Sequence, residues 1–111
     1  MPKLTIIQTS RFKKDLKPFQ HDKKLRTELT DCVEMLQAGI PLPPKYKDHY
    51  LSGNYEGKRD CHIRPNIVLI YQITATDLIL IRLGSHNKLG LTESNLKNFK
   101  LHIAEGNCGG L

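Results

Sequence analysis

The 111-residue chain has no long apolar segment and no cysteine motif. Its longest apolar runs, IVLIY and LILI, are far shorter than the roughly 20 residues that a membrane-spanning helix needs, and no cationic segment leads into an apolar stretch at the N-terminus. Its cysteines are odd in number and form no CxxC pair, which excludes a disulfide framework or a zinc knuckle. They are Cys32, Cys61 and Cys108. We therefore expect a cytoplasmic protein with no membrane contact.

Several catalytic signatures are also missing. No nucleophilic triad and no phosphate-cradling glycine loop is visible, and Gly53 and Gly57 are interpreted as turn residues. No repeat or low-complexity segment occurs, and the length suits one small domain. What the chain has in excess is positive charge, with 17 Lys and Arg against 11 Asp and Glu. This charge favours a polyanionic partner, and nucleic acid is the leading class.

The N-terminal part predicts one strand and two helices. LTII is a β-rich run, and Ser10 can begin a helix that carries Phe12 and Leu16 at helical spacing. Pro18 should end or kink this helix, and Asp22 can cap a second one. The apolar face of the second helix comprises Leu25, Leu29, Cys32, Val33 and Leu36. The prolines of PLPP end it.

After these prolines the sequence predicts an antiparallel β-meander. KRDCHIR alternates, IVLIYQI is continuously apolar, and DLILIRLGSH follows a short TAT turn. The whole pattern, βααβββ, predicts an α+β fold with helices against one face of a curved sheet. Leu96, Phe99 and Ile103 predict a short C-terminal helix before a frayed end. We assign residues 1–90 to one domain and residues 91–111 to a C-terminal extension.

Strand alternation separates polar from apolar faces. In KRDCHIR one face comprises Arg59, Cys61 and Ile63, and the other, which is polar and basic, comprises Lys58, Asp60, His62 and Arg64. In the last strand one side comprises Leu78, Leu80, Arg82, Gly84 and His86. Arg82 therefore interrupts an apolar row, and its guanidinium must reach an anion or water.

Three histidines lie close to neighbouring strands. His49 comes just before, His62 within and His86 just after segments of the meander, so the fold could bring them onto one cationic surface with Lys47 and nearby arginines, Arg59 and Arg82. Imidazole can act as acid or base near neutral pH, and arginine can stabilise a pentacoordinate phosphorane. These are the requirements of metal-independent RNA cleavage, in which the 2′-OH attacks the adjacent phosphorus and leaves a 2′,3′-cyclic phosphate.

A zinc site is the competing use of the same side chains, because the histidines with Asp60 and Cys61 could ligate zinc. However, Cys61 and His62 are neighbours on a strand and point to opposite faces, and no other pair has a zinc-motif spacing. A single histidine such as His62 is also often a surface or satisfied core residue. We expect no metal and no other cofactor.

The segments YKDH, GKRDCH, PNIVLIY and RLGSH, in that order and at short spacings, resemble the YafQ-type toxins of the RelE superfamily. The resemblance runs from about residue 3 to residue 89. It implies a RelE-like fold and a ribosome-dependent mRNA endonuclease of a type II toxin–antitoxin pair. The implied partners are a DinJ-like antitoxin, the 70S ribosome and mRNA, with operator DNA contacted only through the antitoxin complex.

The resemblance also assigns site residues. The implied catalytic residues are His49, Asp60, His62, Arg82 and His86, with Arg82 handling phosphate. We assign His86 the general-acid role ourselves, because it follows the strand that also carries Arg82 and should lie beside the scissile phosphate. The predicted RNA-binding residues are Lys45, Lys47, Lys58, Arg59, Arg64 and Asn66.

Two positions depart from the pattern of these toxins. Asn66 stands where they often carry an aspartate, and an amide cannot accept a proton as a base. Gly90 stands where an aromatic residue is usual, which removes a stacking surface for a base unless Leu91 or Tyr50 supplies it. Two alternatives therefore remain open. One is a catalytically weak binding module with the toxin fold, and the other is a ribosome-independent RNase.

Overall fold

The structure, a computed structural model, describes residues 3–89. The predicted helix at Leu96, Phe99 and Ile103 lies outside the described residues, as do Gly90 and the proposed C-terminal extension.

The described residues form the predicted βααβββ arrangement with short additions. The strands are β1 (Thr5–Gln8), β2 (His49–Tyr50), β3 (Arg59–Arg64), β4 (Ile67–Ile73) and β5 (Asp77–Gly84). The helices are α1 (Ser10–Leu16), α2 (Lys23–Gln37) and α3 (His86–Leu89). Short 3₁₀ turns cover Lys17–Phe19, Pro44–Tyr46 and Gly53–Tyr55. The sequence predicted neither the two-residue β2 nor α3, and His86 begins a helix instead of ending a strand.

Side-chain caps set the starts of both long helices. Thr9 precedes α1, and its Oγ1 accepts a hydrogen bond from the Phe12 N–H at 3.1 Å. Asp22 precedes α2, and its Oδ1 accepts from the Leu25 N–H at 3.0 Å. Each cap satisfies one of the N–H groups that a helix leaves unpaired at its start. Pro18 falls inside the first 3₁₀ turn, so α1 ends before it as predicted.

The five strands form one sheet in the order β1-β5-β4-β3-β2. β1 runs parallel to β5, and the other neighbours are antiparallel. Helices α1 and α2 pack on one face, over a core of their own apolar residues and alternate strand residues that includes Phe12, Leu25, Leu69 and Tyr71. On the opposite face a smaller apolar cluster joins Leu51, Val68, Ile70 and Leu89, with Tyr55 and Ile81 packed against it.

Two register shifts correct the predicted strand faces. The pairing of β3 with β4 shifts between His62 and Arg64, so Arg64 reaches α2 instead of lying beside His62. The pairing of β4 with β5 shifts between Ile70, which pairs with Arg82, and Tyr71, which pairs with Leu80. Leu83 therefore takes the next core position after Leu80. A bulge inserts one residue on one strand, so alternation inverts beyond it.

Cys32 of α2 and Cys61 of β3 meet inside the core, where both are free thiols. Their Sγ atoms lie 3.4 Å apart and both residues are fully buried. Within residues 3–89, no helix is both long enough and apolar enough to span a membrane.

Candidate active site

The meander brings the three predicted histidines together. His49 lies opposite Asp60 across the β2–β3 pair. His62 of β3 and Gly84 of β5 both pair with Val68 of β4, one on each side of it. The chain then turns at Ser85, and His86 begins α3. The ring centroids of His62 and His86 lie 5.1 Å apart, and those of His49 and His62 lie 6.5 Å apart. Three imidazoles and one carboxyl thus share a single cluster, here called the histidine cluster.

Asp60 forms the floor of the histidine cluster. Its carboxyl group is fully buried, and Oδ1 lies 3.0 Å from His49 Nε2. The other ring nitrogen of His49, Nδ1, lies 2.6 Å from the Lys47 carbonyl oxygen, which can only accept a hydrogen bond. His49 Nδ1 therefore donates this hydrogen bond, and Nε2 faces the buried Asp60 carboxyl group. Burial, reinforced by the charge of Asp48 and opposed by Arg59, raises the pKa of Asp60 to about 7.

The two other histidines are poorer bases than free imidazole. Burial, together with the positive charges of His86, His49 and Lys47, lowers the pKa of His62 to about 4. Burial and the charge of His49 also lower the pKa of His86. At neutral pH the cluster without RNA therefore holds His62 as a neutral imidazole. A phosphodiester placed among these rings would favour their protonated forms, because its charge is negative.

Asp60, His62 and His86 are also the residues that could hold a metal ion. One ligand atom from each lies within 4.8 Å of the others. Ligands around one tetrahedral zinc lie about 3.4 Å apart, given bonds of about 2.1 Å, so these side chains would have to close on the ion. Sequence spacing could not reveal this set, because its members come from β3 and α3 and meet only in the fold.

Arg82 is anchored by Asp15, a nearly buried residue of α1 that the sequence analysis missed. Arg82 Nε and Nη2 donate to Asp15 Oδ2 and Oδ1 at 2.7 and 3.3 Å, and the Leu83 N–H donates to Oδ2 at 3.0 Å. The Lys88 ammonium lies 3.8 Å away. Burial opposes ionisation, but these donors and charges together hold the pKa of Asp15 below its usual value. Helical spacing is the signal that could have identified Asp15, because it lies one turn after Phe12 on the buried side of α1.

Two predicted RNA-binding arginines are also held by carboxylates of this chain. Arg59 Nε and Nη2 donate to Asp48 at 3.2 and 2.7 Å, and the guanidinium stacks 4.2 Å from the ring centre of Tyr50. Tyr71 Oη donates to the same carboxylate. Arg64 Nε donates to Glu28 at 2.7 Å, and its Nη1 donates to Asp22 at 3.3 Å. Both arginines therefore act first as structural cross-links.

The remaining predicted RNA-binding residues lie at the surface. Lys45 and Lys47 are exposed beside β2, and Lys58 is half-buried just before β3. Asn66 is exposed in the turn between β3 and β4.

We predict that Asp60→Asn flattens the pH dependence of stability. The folded-state pKa of Asp60, about 7, exceeds its unfolded value, so the folded chain binds more protons between about pH 4 and pH 7. The contribution of Asp60 to stability therefore falls as pH rises through this window, by up to about 4 kcal/mol. His62 has the opposite sign, since its lowered pKa reduces stability as pH falls below about 6.5.

Urea unfolding of the wild type and Asp60→Asn across this pH range measures the difference. Asp31→Asn is the matched control, because Asp31 is an exposed aspartate of α2. An Asp60→Asn variant with the same pH dependence as the wild type would contradict the raised pKa.

The sequence matches a family described as a bacterial toxin of type II toxin–antitoxin systems, YafQ, over residues 4–91. The mRNA interferase toxin YafQ of Escherichia coli K12 is 37% identical over 85 residues, which are 76% of this chain and 92% of that protein. YafQ in the E. coli DinJ–YafQ complex superposes with a TM-score of 0.70 at 35% identity, over 78% of this chain and 97% of that one. A metal-bound toxin from Helicobacter pylori superposes with a TM-score of 0.71 at 42% identity, over 78% of this chain and 98% of that one. With the family matched across most of its length and the predicted fold confirmed, this chain belongs to the YafQ family of toxins of type II toxin–antitoxin systems.

Proposed function

We propose that this chain is an endoribonuclease that cuts mRNA on the ribosome and so inhibits translation. The observation that carries the proposal is the histidine cluster, in which three imidazoles meet over a buried carboxyl group. A similar chain, the E. coli YafQ toxin, is named an mRNA interferase. A substrate of this kind places the activity in the cytoplasm.

The cluster can supply both proton transfers of RNA cleavage. His62, which is a neutral imidazole at neutral pH, takes the proton of the 2′-OH, because both ring nitrogens of His49 already face the Lys47 carbonyl and Asp60. The 2′-oxygen then attacks the adjacent phosphorus, and the bond from phosphorus to the 5′-oxygen breaks. His86 gives a proton to that departing oxygen, so the products are a 2′,3′-cyclic phosphate and a 5′-hydroxyl. His49, held between the Lys47 carbonyl and Asp60, lies beside His62 and positions this wall of the cluster.

Arg82 is the group proposed to stabilise the charge on the phosphorane. Its pair with Asp15 occupies Nε and one hydrogen of Nη2, and Tyr55 also hydrogen-bonds the guanidinium, so a phosphate oxygen would be bound by the remaining N–H groups. Asp15 thus fixes the direction of the guanidinium before RNA arrives. Such preorganisation avoids reorganisation during the reaction.

The departure at Asn66 is compatible with this mechanism, because the base role falls to His62. The rival proposals are a weak binding module and an RNase that needs no ribosome. The test is to incubate the purified protein with naked mRNA and with translating ribosomes, and to map the cut ends. Cleavage only on ribosomes with cyclic phosphate ends supports the proposal. Cleavage of naked mRNA at the same rate, or no cleavage in either case, would favour one of the rivals.

The proposed inhibitor is a DinJ-like antitoxin, which would also connect the toxin to operator DNA. E. coli YafQ forms a complex with DinJ. We predict that association is strongly salt-dependent, because a chain of net charge +6 steers an acidic partner by long-range attraction. The association rate, measured by stopped flow, should fall by at least about tenfold from low to high salt. A rate that does not respond to salt would show that attraction between charges does not drive encounter.

The second proposed property of the site is inhibition by metal. A similar toxin from H. pylori binds metal, and here Asp60, His62 and His86 lie close enough to close on an ion. We predict that EDTA leaves cleavage unchanged, because histidine and arginine already cover proton transfer and charge stabilisation. Added zinc should inhibit, because a bound ion occupies the ring nitrogens that exchange protons.

Cleavage of ribosome-bound mRNA should be assayed with EDTA, with zinc, and with zinc followed by EDTA. A magnesium-buffered chelator control keeps ribosomes intact. Cleavage that is lost in EDTA and restored by zinc would overturn the metal-independent mechanism.

A further inference from the structure

A cavity of about 380 Å³ adjoins the histidine cluster and has no role in the chemistry proposed above. His62 lines one side, and the segment before β2 contributes Lys45, Tyr46 and Lys47. Glu28 of α2 and residues 63–65 at the end of β3 complete the wall. Cavities of roughly 300–1,000 Å³ are typical of small-ligand sites. This one has room for a single nucleotide next to the scissile phosphate.

Lys45 and Lys47 are the cations available to a ligand in this cavity. Among residues 3–89, neither has a carboxylate within ion-pair distance, whereas Arg59 and Arg82 are each held by one and Arg64 by two. The Lys45 ammonium lies 5.2 Å from the ring centre of Tyr46. The charge of Lys47 contributes to the lowered pKa of His62, so it acts on the histidine cluster. Two unpaired ammonium groups beside a catalytic histidine suit a phosphodiester.

The backbone of Lys47 connects the cavity with the histidine cluster. Its φ of 48° and ψ of 44° lie in the left-handed region, which costs energy for a residue with a side chain. The same conformation directs its carbonyl oxygen to His49 Nδ1, at 2.6 Å. One strained residue therefore orients His49 through its backbone and faces the cavity with its side chain. Strain of this kind often persists where a site requires it.

Glu28 gives the cavity wall a group that can distinguish bases. Its Oε1 accepts from Arg64 at 2.7 Å, so its charge is offset in part by a guanidinium that also binds Asp22. An ionised carboxylate only accepts hydrogen bonds, which favours base edges that carry an amino group.

We propose that this cavity binds the RNA nucleotide adjacent to the scissile phosphate, with Lys45 and Lys47 on its phosphodiester and Glu28 on an exocyclic amino group of its base. This proposal rests on the proposed function for its place in the reaction, but binding can be measured without cleavage.

The first experiment is an NMR titration of the free protein with two probes, AMP and purine riboside 5′-monophosphate, which differ by one amino group. AMP should shift the signals of residues 45–47, 28 and 62 and should bind more tightly than its analogue. Lys45→Ala combined with Lys47→Asn should weaken the binding of both probes by about fivefold to tenfold. Asparagine is chosen at position 47 because it tolerates the left-handed conformation. Glu28→Ala should abolish the preference for AMP. Lys13→Ala with Lys14→Ala, on exposed positions of α1, is the charge-matched control.

The second experiment is cleavage of ribosome-bound mRNA by the same variants. The Lys45 and Lys47 variant should raise KM. Lys45→Ala alone should do so with little change in kcat, because a contact made equally in the ground and transition states affects binding alone, whereas the charge of Lys47 also acts on His62. If AMP shifts no signal of the cavity, or the variant binds and cleaves like the wild type, the subsite does not exist and the proposed function stands. If the wild type does not cleave at all, the proposed function fails, and the NMR titration still shows whether the cavity binds a nucleotide.

Discussion

His86→Ala is expected to slow single-turnover cleavage of ribosome-bound mRNA by about 10² to 10⁴, the usual contribution of a positioned proton donor. His86 begins α3 beside His62, the imidazole that is proposed to take the opposite proton. Without it the 5′-oxygen must leave as an alkoxide or take a proton from water. Ribosome affinity should change little, because many phosphate contacts determine it.

The measurement combines three properties of one preparation, namely cleavage rate, ribosome affinity and melting temperature. His21→Ala is the matched control, because His21 is an exposed histidine between α1 and α2, away from the histidine cluster. A parallel loss of cleavage, affinity and melting temperature would assign His86 a structural role in α3. Wild-type cleavage by His86→Ala would remove it from the mechanism.

The local order of elements was predictable because it depends on local signals. Helix caps at Thr9 and Asp22, the break at Pro18 and the alternation after the prolines each act over a few residues, and the structure follows them. The meeting of the histidines was predictable for a related reason. An antiparallel meander places consecutive segments side by side, so residues at their ends converge.

The parts that sequence reasoning missed depend on long-range geometry. The bulges in β3 and β5 turned Arg64 toward Glu28 and moved Leu83 into the core, although nothing in the local alternation marks them. Asp15 and Arg82 are 67 residues apart in the chain, and their pairing appears only when α1 lies against β5. The predicted basic surface consequently divides into two groups. Its arginines are cross-links within the fold, whereas Lys45, Lys47 and Lys58 pair with no carboxylate among residues 3–89.

The second large effect is expected at the Asp15–Arg82 pair. Asp15→Ala is expected to lower the free energy of unfolding by about 2 to 4 kcal/mol, because it leaves a largely buried guanidinium and the Leu83 N–H without their acceptor. Cleavage should fall as well, since Arg82 loses the partner that directs it toward phosphate. Asp15→Asn should cost less, because an amide oxygen can still accept from Leu83 but carries no charge.

A double-mutant cycle with Arg82→Ala separates the interaction energy of the Asp15–Arg82 pair from the contributions of the two side chains taken singly. If the two side chains act together, Asp15→Ala with Arg82→Ala should cost less than the sum of the single variants, because the double variant leaves no unpaired charge. Additive losses in urea unfolding would show that Asp15 stabilises the fold without Arg82.

The pH dependence of stability gives an independent check on the Asp15 charge. Because the pKa of Asp15 is lowered in the folded chain, its contribution is present above the unfolded value of about 3.9 and is lost as pH falls through the folded value. The difference between wild type and Asp15→Asn should therefore be full at neutral pH and shrink in acid, whereas a difference that stays constant would mean that the Asp15 charge plays no part.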